Sequence, residues 1–244
     1  MPIATDTHHN ILAVADHWAE AKSSSRSRVG ATLVEISLVA TAVMVLIKLA
    51  SDSAWGRQTW FAIPGVLFVA ALAPMFLLGR KPVEIGLRVQ GWAGDLWRFL
   101  LTCLLVLPGT FLLLGLMVRW GVPLPASPQV EGGQWASWMI YQLLYVAVGE
   151  ELFFRGYLLG QLLEWGKGVN RDRRRISPAV CVIVSAGVFA LAHVVLQGAI
   201  ISGLTFFPGL VFGWLFIKSR SLLAPVLFHA LANTFYAIAF VLLS

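Results

Sequence analysis

Residues 149–160 read GEELFFRGYLLG and place two adjacent glutamates and an arginine in an otherwise apolar run. The preceding stretch 138–149, WMIYQLLYVAVG, is comparably apolar. On a helix, Glu151 and Arg155 share a face, so this pair can neutralise itself. Glu150 points about 100° away from Glu151, so it cannot pair with Arg155 in the same way. The stretch therefore predicts a helix in lipid or core with one carboxylate that needs partners from other helices.

The composition indicates where such a helix lies. Of the 244 residues, 58% are hydrophobic and 12% are charged, whereas average soluble domains are about 25% charged. A soluble core of this length could not use so much apolar surface, so we predict an all-α polytopic membrane helix bundle with a polar catalytic cavity. A net charge of +6 would suggest nucleic acid in a soluble protein. Membrane topology explains the charge better here, and no nucleic-acid partner is expected.

Seven apolar segments are candidates for crossing a hydrocarbon core about 30 Å thick. They are residues 29–50, 60–79, 96–118, 136–163, 178–195, 198–217 and 222–243. Before the third segment, Pro82–Trp97 is mixed in polarity and is predicted to form an interfacial helix. We divide the chain into a cytosolic N-terminal tail (1–28), N-terminal membrane helices with the interfacial helix (29–130) and a catalytic membrane core (131–244).

The lysines and arginines predict the orientation of the bundle. Of the 18 Lys and Arg residues, 14 fall on the side of the N-terminal tail, and three, Lys48, Arg57 and Arg119, fall on the other. The remaining one is Arg155, inside the fourth segment. By the positive-inside rule this asymmetry places the N-terminus in the cytoplasm. We therefore expect a multi-pass integral protein of a bacterial inner or plasma membrane, with the lipid bilayer as its surroundings.

Three late segments bring polar side chains into the apolar bundle. Glu150 lies in the fourth, His193 in the fifth, and His229 with Asn233 on one face of the seventh. Ionisable groups within a membrane are costly and usually mark function. Counted from the cytosolic ends at about 1.5 Å per residue, Glu150 and His193 lie about 20 Å deep but His229 only about 10 Å deep. A meeting of these groups therefore requires a tilt, a kink or a later start of the last helix.

Three motifs follow one another on these segments. They are EExxxR (Glu150-Glu151-Leu-Phe-Phe-Arg155), FxxxH (Phe189-Ala-Leu-Ala-His193) and HxxxN (His229-Ala-Leu-Ala-Asn233). Together, in this order, they resemble the CPBP family, which includes the type II CAAX prenyl proteases and the Abi-type proteins. The resemblance covers about residues 136–240 and implies hydrolysis of a peptide bond within the membrane by an α-helical bundle.

The resemblance also implies roles for the site residues. Glu150 and His193 would activate a water, and His229 and Asn233 would bind the oxyanion of the tetrahedral intermediate. Glu151 and Arg155 would hold the site in shape. The residue types are compatible with these roles, because a carboxylate beside an imidazole is a competent base, and an imidazole N–H with an amide N–H is a competent oxyanion hole.

A zinc-dependent version of the same protease is the mechanistic alternative. Glu150, His193 and His229 could supply three ligands, with water as the fourth, and proteins of this family have been described in both ways. No HExxH motif is present. We favour a metal-free site without a cofactor, because the His229 and Asn233 donor pair fits an oxyanion better than a ligand set.

The sequence does not name the substrate, and it allows two other classes of function. The substrate is expected to be a membrane protein or peptide, prenylated or not, that is processed at its C-terminus or as a precursor. The first alternative is a non-catalytic membrane protein that binds a peptide or partner for immunity. The second is a proton- or ion-coupled transporter with Glu150 as its relay. An unpaired Glu150 favours the enzyme over a scaffold, and the lack of a visible inverted repeat weighs against the transporter.

Overall fold

The computed structural model describes residues 30–50, 52, 62–88, 90–125, 130, 132–171 and 176–243, and the predicted tail 1–28 lies outside them. Within these ranges the chain forms seven long helical elements and no strand. In chain order they are α1 (Gly30–Ala50), α2 (Ala62–Leu77), α3 (Trp92–Arg119), α4 (135–171), α5 (Pro178–Gln197), α6 (Ile200–Ser219) and α7 (Leu223–Leu243).

Five of these helices, α1, α3, α5, α6 and α7, are both long enough and apolar enough to cross a membrane. The helix α2 is apolar but shorter, with 16 residues. Large apolar side chains such as Phe76, Leu104 and Leu105 are exposed on the outside of the bundle. Contact with lipid accounts for so much exposed apolar surface. The prediction of an all-α polytopic membrane helix bundle is confirmed.

The predicted interfacial helix over Pro82–Trp97 is wrong. The segment contains one short 3₁₀ turn, Pro82–Ile85, and α3 already begins at Trp92. Gly86 has φ 82° and Gly91 has φ 86°. Such left-handed backbone ends a helix and is readily adopted only by glycine. The two glycines therefore separate the 3₁₀ turn from α3, and residues 92–97 are the first turns of a membrane helix.

The helix α4 lies at the centre of the bundle and changes its winding along its length. It consists of Trp135–Tyr141 (α), Gln142–Ala147 (π), Val148–Glu151 (α), Leu152–Leu159 (π) and Gly160–Arg171 (α). Residues 151–163 are all buried, and α4 packs against α2, α5, α6 and α7. Because π turns are rare and occur mostly at functional sites, the two that flank the glutamate pair single out this part of the core.

Two glycines of the stretch 149–160 allow α4 to pack closely against its neighbours. A Cβ atom on Gly149 would lie 3.1 Å from the carbonyl oxygen of Pro64 in α2. A Cβ atom on Gly156 would lie 2.7 Å from the carbonyl oxygen of Ile85 in the 3₁₀ turn. Any larger residue at Gly156 would push the backbones apart. The glycines thus fix α4 against the N-terminal part of the chain on both sides of the glutamates.

The turn between α6 and α7 is buried. Ser219, Ser221 and Leu222 are almost inaccessible. The Leu222 N–H donates a hydrogen bond of 3.1 Å to the Gly86 carbonyl oxygen, so the segment 82–88 covers the turn. The helix α7 begins at Leu223, one residue after the predicted start of the seventh segment. The meeting of His229 with Glu150 therefore does not depend on a later start of the last helix.

Candidate active site

Glu151 and Arg155 form a fully buried ion pair on α4. Arg155 Nη1 donates a hydrogen bond of 2.9 Å to Glu151 Oε1, and both side chains have 0% exposure. The i,i+4 pairing predicted from the sequence is present. A buried pair survives only when further polar contacts compensate for the loss of water, and the neighbouring helices supply them.

The guanidinium of Arg155 is enclosed by α5 and α6. Its Nη2 donates a hydrogen bond of 3.3 Å to the Gly209 carbonyl oxygen. The guanidinium carbon lies 4.4 Å from the ring centroid of Phe189 and 4.8 Å from that of Phe212. Cations are attracted to the faces of aromatic rings, most strongly where water is absent. Arg155 therefore links three helices around the site.

Glu151 also fixes the orientation of His229 on α7. Glu151 Oε1 lies 2.7 Å from His229 Nδ1. Glu151 Oε1 accepts a hydrogen bond from Arg155, and it accepts a second one from His229 in the tautomer whose proton is on Nδ1. The imidazole stacks on Phe212 with ring centroids 4.6 Å apart and planes 13° apart. Its other nitrogen, Nε2, is directed toward Glu150.

Glu150 faces two imidazoles from two different helices. Its Oε2 lies 3.7 Å from His229 Nε2 and 4.0 Å from His193 Nε2. These separations are longer than direct hydrogen bonds, and Oε2 is buried without a hydrogen-bond partner in the described part of the chain. The side chain keeps 14% exposure. Glu150, which has no partner on its own helix, therefore lies beside the two histidines that were predicted as its partners.

The protonation pattern of His193 follows from its backbone contact. His193 Nδ1 lies 3.0 Å from the carbonyl oxygen of Phe189, one turn earlier on α5. A carbonyl oxygen only accepts, so Nδ1 is the donor, and in the neutral ring Nε2 carries the lone pair. This lone pair is directed at Glu150. The geometry suits a shared proton or a common hydrogen-bonding partner between the carboxylate and the imidazole.

Asn233 lies one turn after His229 on α7 and is held by a residue that sequence reasoning missed. Asn233 Nδ2 donates a hydrogen bond of 2.8 Å to Oε1 of Gln142. Gln142 is a buried side chain on the first π turn of α4. The sequence analysis does not single out Gln142, because the rest of residues 138–149 is apolar. The available signal was a primary amide in a membrane span, where polar side chains usually have a specific partner.

The three residues of the zinc alternative do not form a coordination site. Among the residues that the structure describes, no group of three or more His, Cys, Asp or Glu side chains is arranged to hold a metal ion. Zinc bonds of about 2.0–2.2 Å would bring tetrahedral ligand atoms to about 3.3–3.5 Å from each other. The two distances from Glu150 Oε2, 3.7 and 4.0 Å, are wider.

One family model matches the part of the chain that holds the candidate site. This model, described as type II CAAX prenyl endopeptidase Rce1-like, matches residues 132–235. The matched segment contains the six predicted site residues, Glu150, Glu151, Arg155, His193, His229 and Asn233. No curated protein and no solved structure matches the chain. Residues 132–235 are thus similar to the Rce1-like type II CAAX prenyl endopeptidases, which confirms the family resemblance predicted from the three motifs.

Proposed function

We propose that this protein is an intramembrane endopeptidase in which Glu150 and His193 activate the water that cleaves the peptide bond. The observation that carries this proposal is the position of Glu150 Oε2, which faces the Nε2 atoms of His193 and His229 at 4.0 and 3.7 Å. A water that donates hydrogen bonds of about 2.8 Å to Glu150 Oε2 and to His193 Nε2 fits between groups at this separation. The similarity of residues 132–235 to the family model supports the reaction class.

The reaction balances with the groups present. The water oxygen attacks the scissile carbonyl carbon while one water proton passes to Glu150, assisted by His193. The carbonyl oxygen becomes an oxyanion that accepts hydrogen bonds from His229 and Asn233. When the tetrahedral intermediate collapses, the C–N bond breaks and the departing amine takes the proton from Glu150. The products are a new carboxylate and a new amine.

The role of His229 as an oxyanion donor requires the imidazolium form. Its Nδ1–H is committed to Glu151, so Nε2 donates only when the ring is doubly protonated. Two ionised glutamates and one arginine leave the buried cluster with one negative charge, which a single imidazolium neutralises. Neutral clusters are favoured in a low-dielectric interior. Glu151 therefore supports the catalytic form of His229 as well as the shape of the site.

The substrate class is proposed from the family and from the surroundings of the site. A type II CAAX endopeptidase acts near the C-terminus of a prenylated protein, and we propose a membrane-anchored protein or peptide, cut near its C-terminus, as substrate. From the charge asymmetry of the sequence, we propose that the N-terminus lies in the cytoplasm. We also propose a metal-free mechanism, because the separations around Glu150 leave room for a hydrogen-bonded water.

The test is cleavage of a quenched prenylated CAAX peptide by the purified protein in detergent, with and without a zinc chelator. We expect cleavage by the wild type that survives chelation and is absent in Glu150→Ala. Loss on chelation that zinc restores would overturn the metal-free mechanism. If the wild type cleaves neither this peptide nor the same peptide without its prenyl group, the proposed reaction on CAAX-type C-termini is wrong.

A further inference from the structure

A cavity of about 510 Å³ opens at one end of the helix bundle, outside the candidate active site. Its walls come from the segment 82–88 between α2 and α3, from residues 160–164 of α4, and from residues 216–220 at the end of α6. Each of these segments lies where a predicted membrane span ends. The cavity is therefore at the level of the lipid headgroups rather than of the hydrocarbon core.

Four charged side chains and one amide line this cavity: Glu84, Arg88, Gln161, Glu164 and Arg220. Glu164 is paired with Lys167. The side chains of Glu84, Arg88 and Arg220 make no hydrogen bond or ion pair with any residue that the structure describes. The cavity thus presents two uncommitted guanidinium groups and one uncommitted carboxylate on a common surface.

Gln161 adds a primary amide to the polar lining of the cavity. The residue as a whole is only 8% exposed, and it lines the cavity. Its side-chain amide makes no hydrogen bond within the described ranges. A primary amide both donates and accepts hydrogen bonds, so Gln161 is available to a polar group that enters the cavity.

The backbone of Arg220 indicates that its guanidinium has a specific purpose. Arg220 ends α6 with φ 55°, and it is the one non-glycine residue with positive φ in the described part of the chain. Glycine is the usual residue at this position after a helix, because a side chain is strained in left-handed backbone. Strain of this kind is retained mainly at functional positions. Here the strained residue contributes a cationic wall of the cavity.

The cavity is separated from the catalytic residues by packed core. Glu150 lies ten residues before Gly160 on α4, or about 15 Å along the helix. The side chains of Leu159, Phe212 and Leu222 between the two sites are buried. A substrate chain in the active site would have to displace this layer to reach Arg220. The cavity is therefore a distinct site.

We propose that this cavity binds the headgroup of a zwitterionic phospholipid, with its phosphate between Arg88 and Arg220 and its ammonium group at Glu84. Guanidinium groups suit phosphate because their parallel N–H donors match its oxygens. Gln161 adds an amide donor at the base of the cavity. The carboxylate of Glu84 distinguishes a zwitterion from a simple anion, which would leave Glu84 unpaired. The position at the span ends supplies such headgroups from the surrounding bilayer.

The experiment measures binding of dihexanoyl-phosphatidylethanolamine to the full-length protein in lipid-free detergent by titration of its unfolding temperature. Saturable stabilisation of the wild type is expected, with about tenfold or greater weakening of Kd in Arg220→Gly. The Arg220→Gly protein should fold well, because glycine relieves the backbone strain. Lys218→Gln is the matched control, since Lys218 is exposed on the same turn but does not line the cavity.

Three results would each overturn the proposal. One is an unchanged Kd in Arg220→Gly, or an equal weakening in Lys218→Gln. Another is saturation by inorganic phosphate alone, which would assign the site to a free phosphate. The third is equally tight binding of dihexanoyl-phosphatidylglycerol, whose headgroup has no ammonium for Glu84. Since no cleavage is measured, the outcome does not depend on whether the proposed protease activity is correct.

Discussion

Two adjacent glutamates in this protein have different surroundings although they share one helical turn. Glu151 is sealed in the core, with Arg155 on its own helix and His229 on α7 as partners. Glu150 points to another side of α4, keeps some exposure, and faces two imidazole nitrogens without a direct hydrogen bond. The difference follows from the 100° rotation between neighbouring helical residues. Glu151 is thus held in the structure by its partners, whereas Glu150 has the unpaired position that the proposed reaction requires.

Gln142 is expected to position Asn233 for the reaction. Gln142→Leu removes the acceptor of the Asn233 amide, so the amide can rotate away from the oxyanion. Because loss of an oxyanion donor costs about 10²–10³ in rate, we expect kcat for the CAAX peptide to fall by about tenfold to a hundredfold, with KM little changed. Steady-state kinetics at matched concentrations of folded protein measures both constants.

Two further variants separate positioning by Gln142 from a general effect on packing. Gln142→Glu keeps an acceptor oxygen for Asn233 and is expected to retain most of the wild-type kcat. Leu144→Ala changes an exposed residue on the same π turn and should leave kcat unchanged. A wild-type kcat in Gln142→Leu, or an equal loss in Leu144→Ala, would contradict the positioning role.

Local contacts of the site could be predicted from the sequence, and long-range ones could not. The spacing of Glu151 and Arg155 indicates their ion pair directly, because residues four apart on a helix are neighbours. The contact of Glu151 with His229 spans 78 positions, and that of Asn233 with Gln142 spans 91. No periodicity encodes which atoms meet across such separations. The order of the three motifs indicates which residues form the candidate site. The packing of α4 against α7 determines the hydrogen bonds between them.

At the scale of elements, the close packing of α4 on the 3₁₀ turn depends on Gly156. A methyl group there would meet the Ile85 carbonyl oxygen at 2.7 Å. Overpacking of this kind costs about 1–3 kcal/mol, so Gly156→Ala should lower the free energy of unfolding by about that amount despite the better helix propensity of alanine. The measurement is the unfolding temperature in detergent.

A glycine in open surroundings provides the control for this substitution. A Cβ atom on Gly187 of α5 would have no neighbouring atom within 4 Å. Gly187→Ala is therefore expected to keep or slightly raise the unfolding temperature, since alanine is the better helix former. A Gly156→Ala protein as stable as Gly187→Ala would show that the close approach to Ile85 is not needed.

The apolar runs of the sequence predict where the helices lie, but they do not predict where the winding of a helix changes. Seven apolar segments correspond to α1–α7, because the length of a span is dictated by the bilayer. The two π turns of α4 carry no distinctive composition and arise from packing on several helices at once. The buried start of α7 depends on a hydrogen bond from Leu222 to Gly86, 136 positions earlier in the sequence. Such features follow from the assembled bundle.

At the scale of the whole molecule, the N-terminal helices are tied to the segment that matches the family. Glu35 on α1 accepts hydrogen bonds of 2.8 and 2.6 Å from Arg80, after α2, and one of 3.0 Å from Tyr157 on α4. Tyr157 follows Arg155 by two residues. Glu35 therefore joins α1 and α2 to α4.

The role of Glu150 as catalytic base is tested by comparing Glu150→Gln with Glu151→Gln in peptide cleavage and in unfolding. We expect Glu150→Gln to keep the wild-type unfolding temperature but to lose cleavage by about 10²–10⁴-fold, because it removes a general base. Glu151→Gln breaks a buried ion pair and should lower the free energy of unfolding by about 3–5 kcal/mol. Cleavage by Glu150→Gln at near the wild-type rate, with an unfolding temperature equal to that of the wild type, would contradict the assignment of Glu150 as the catalytic base.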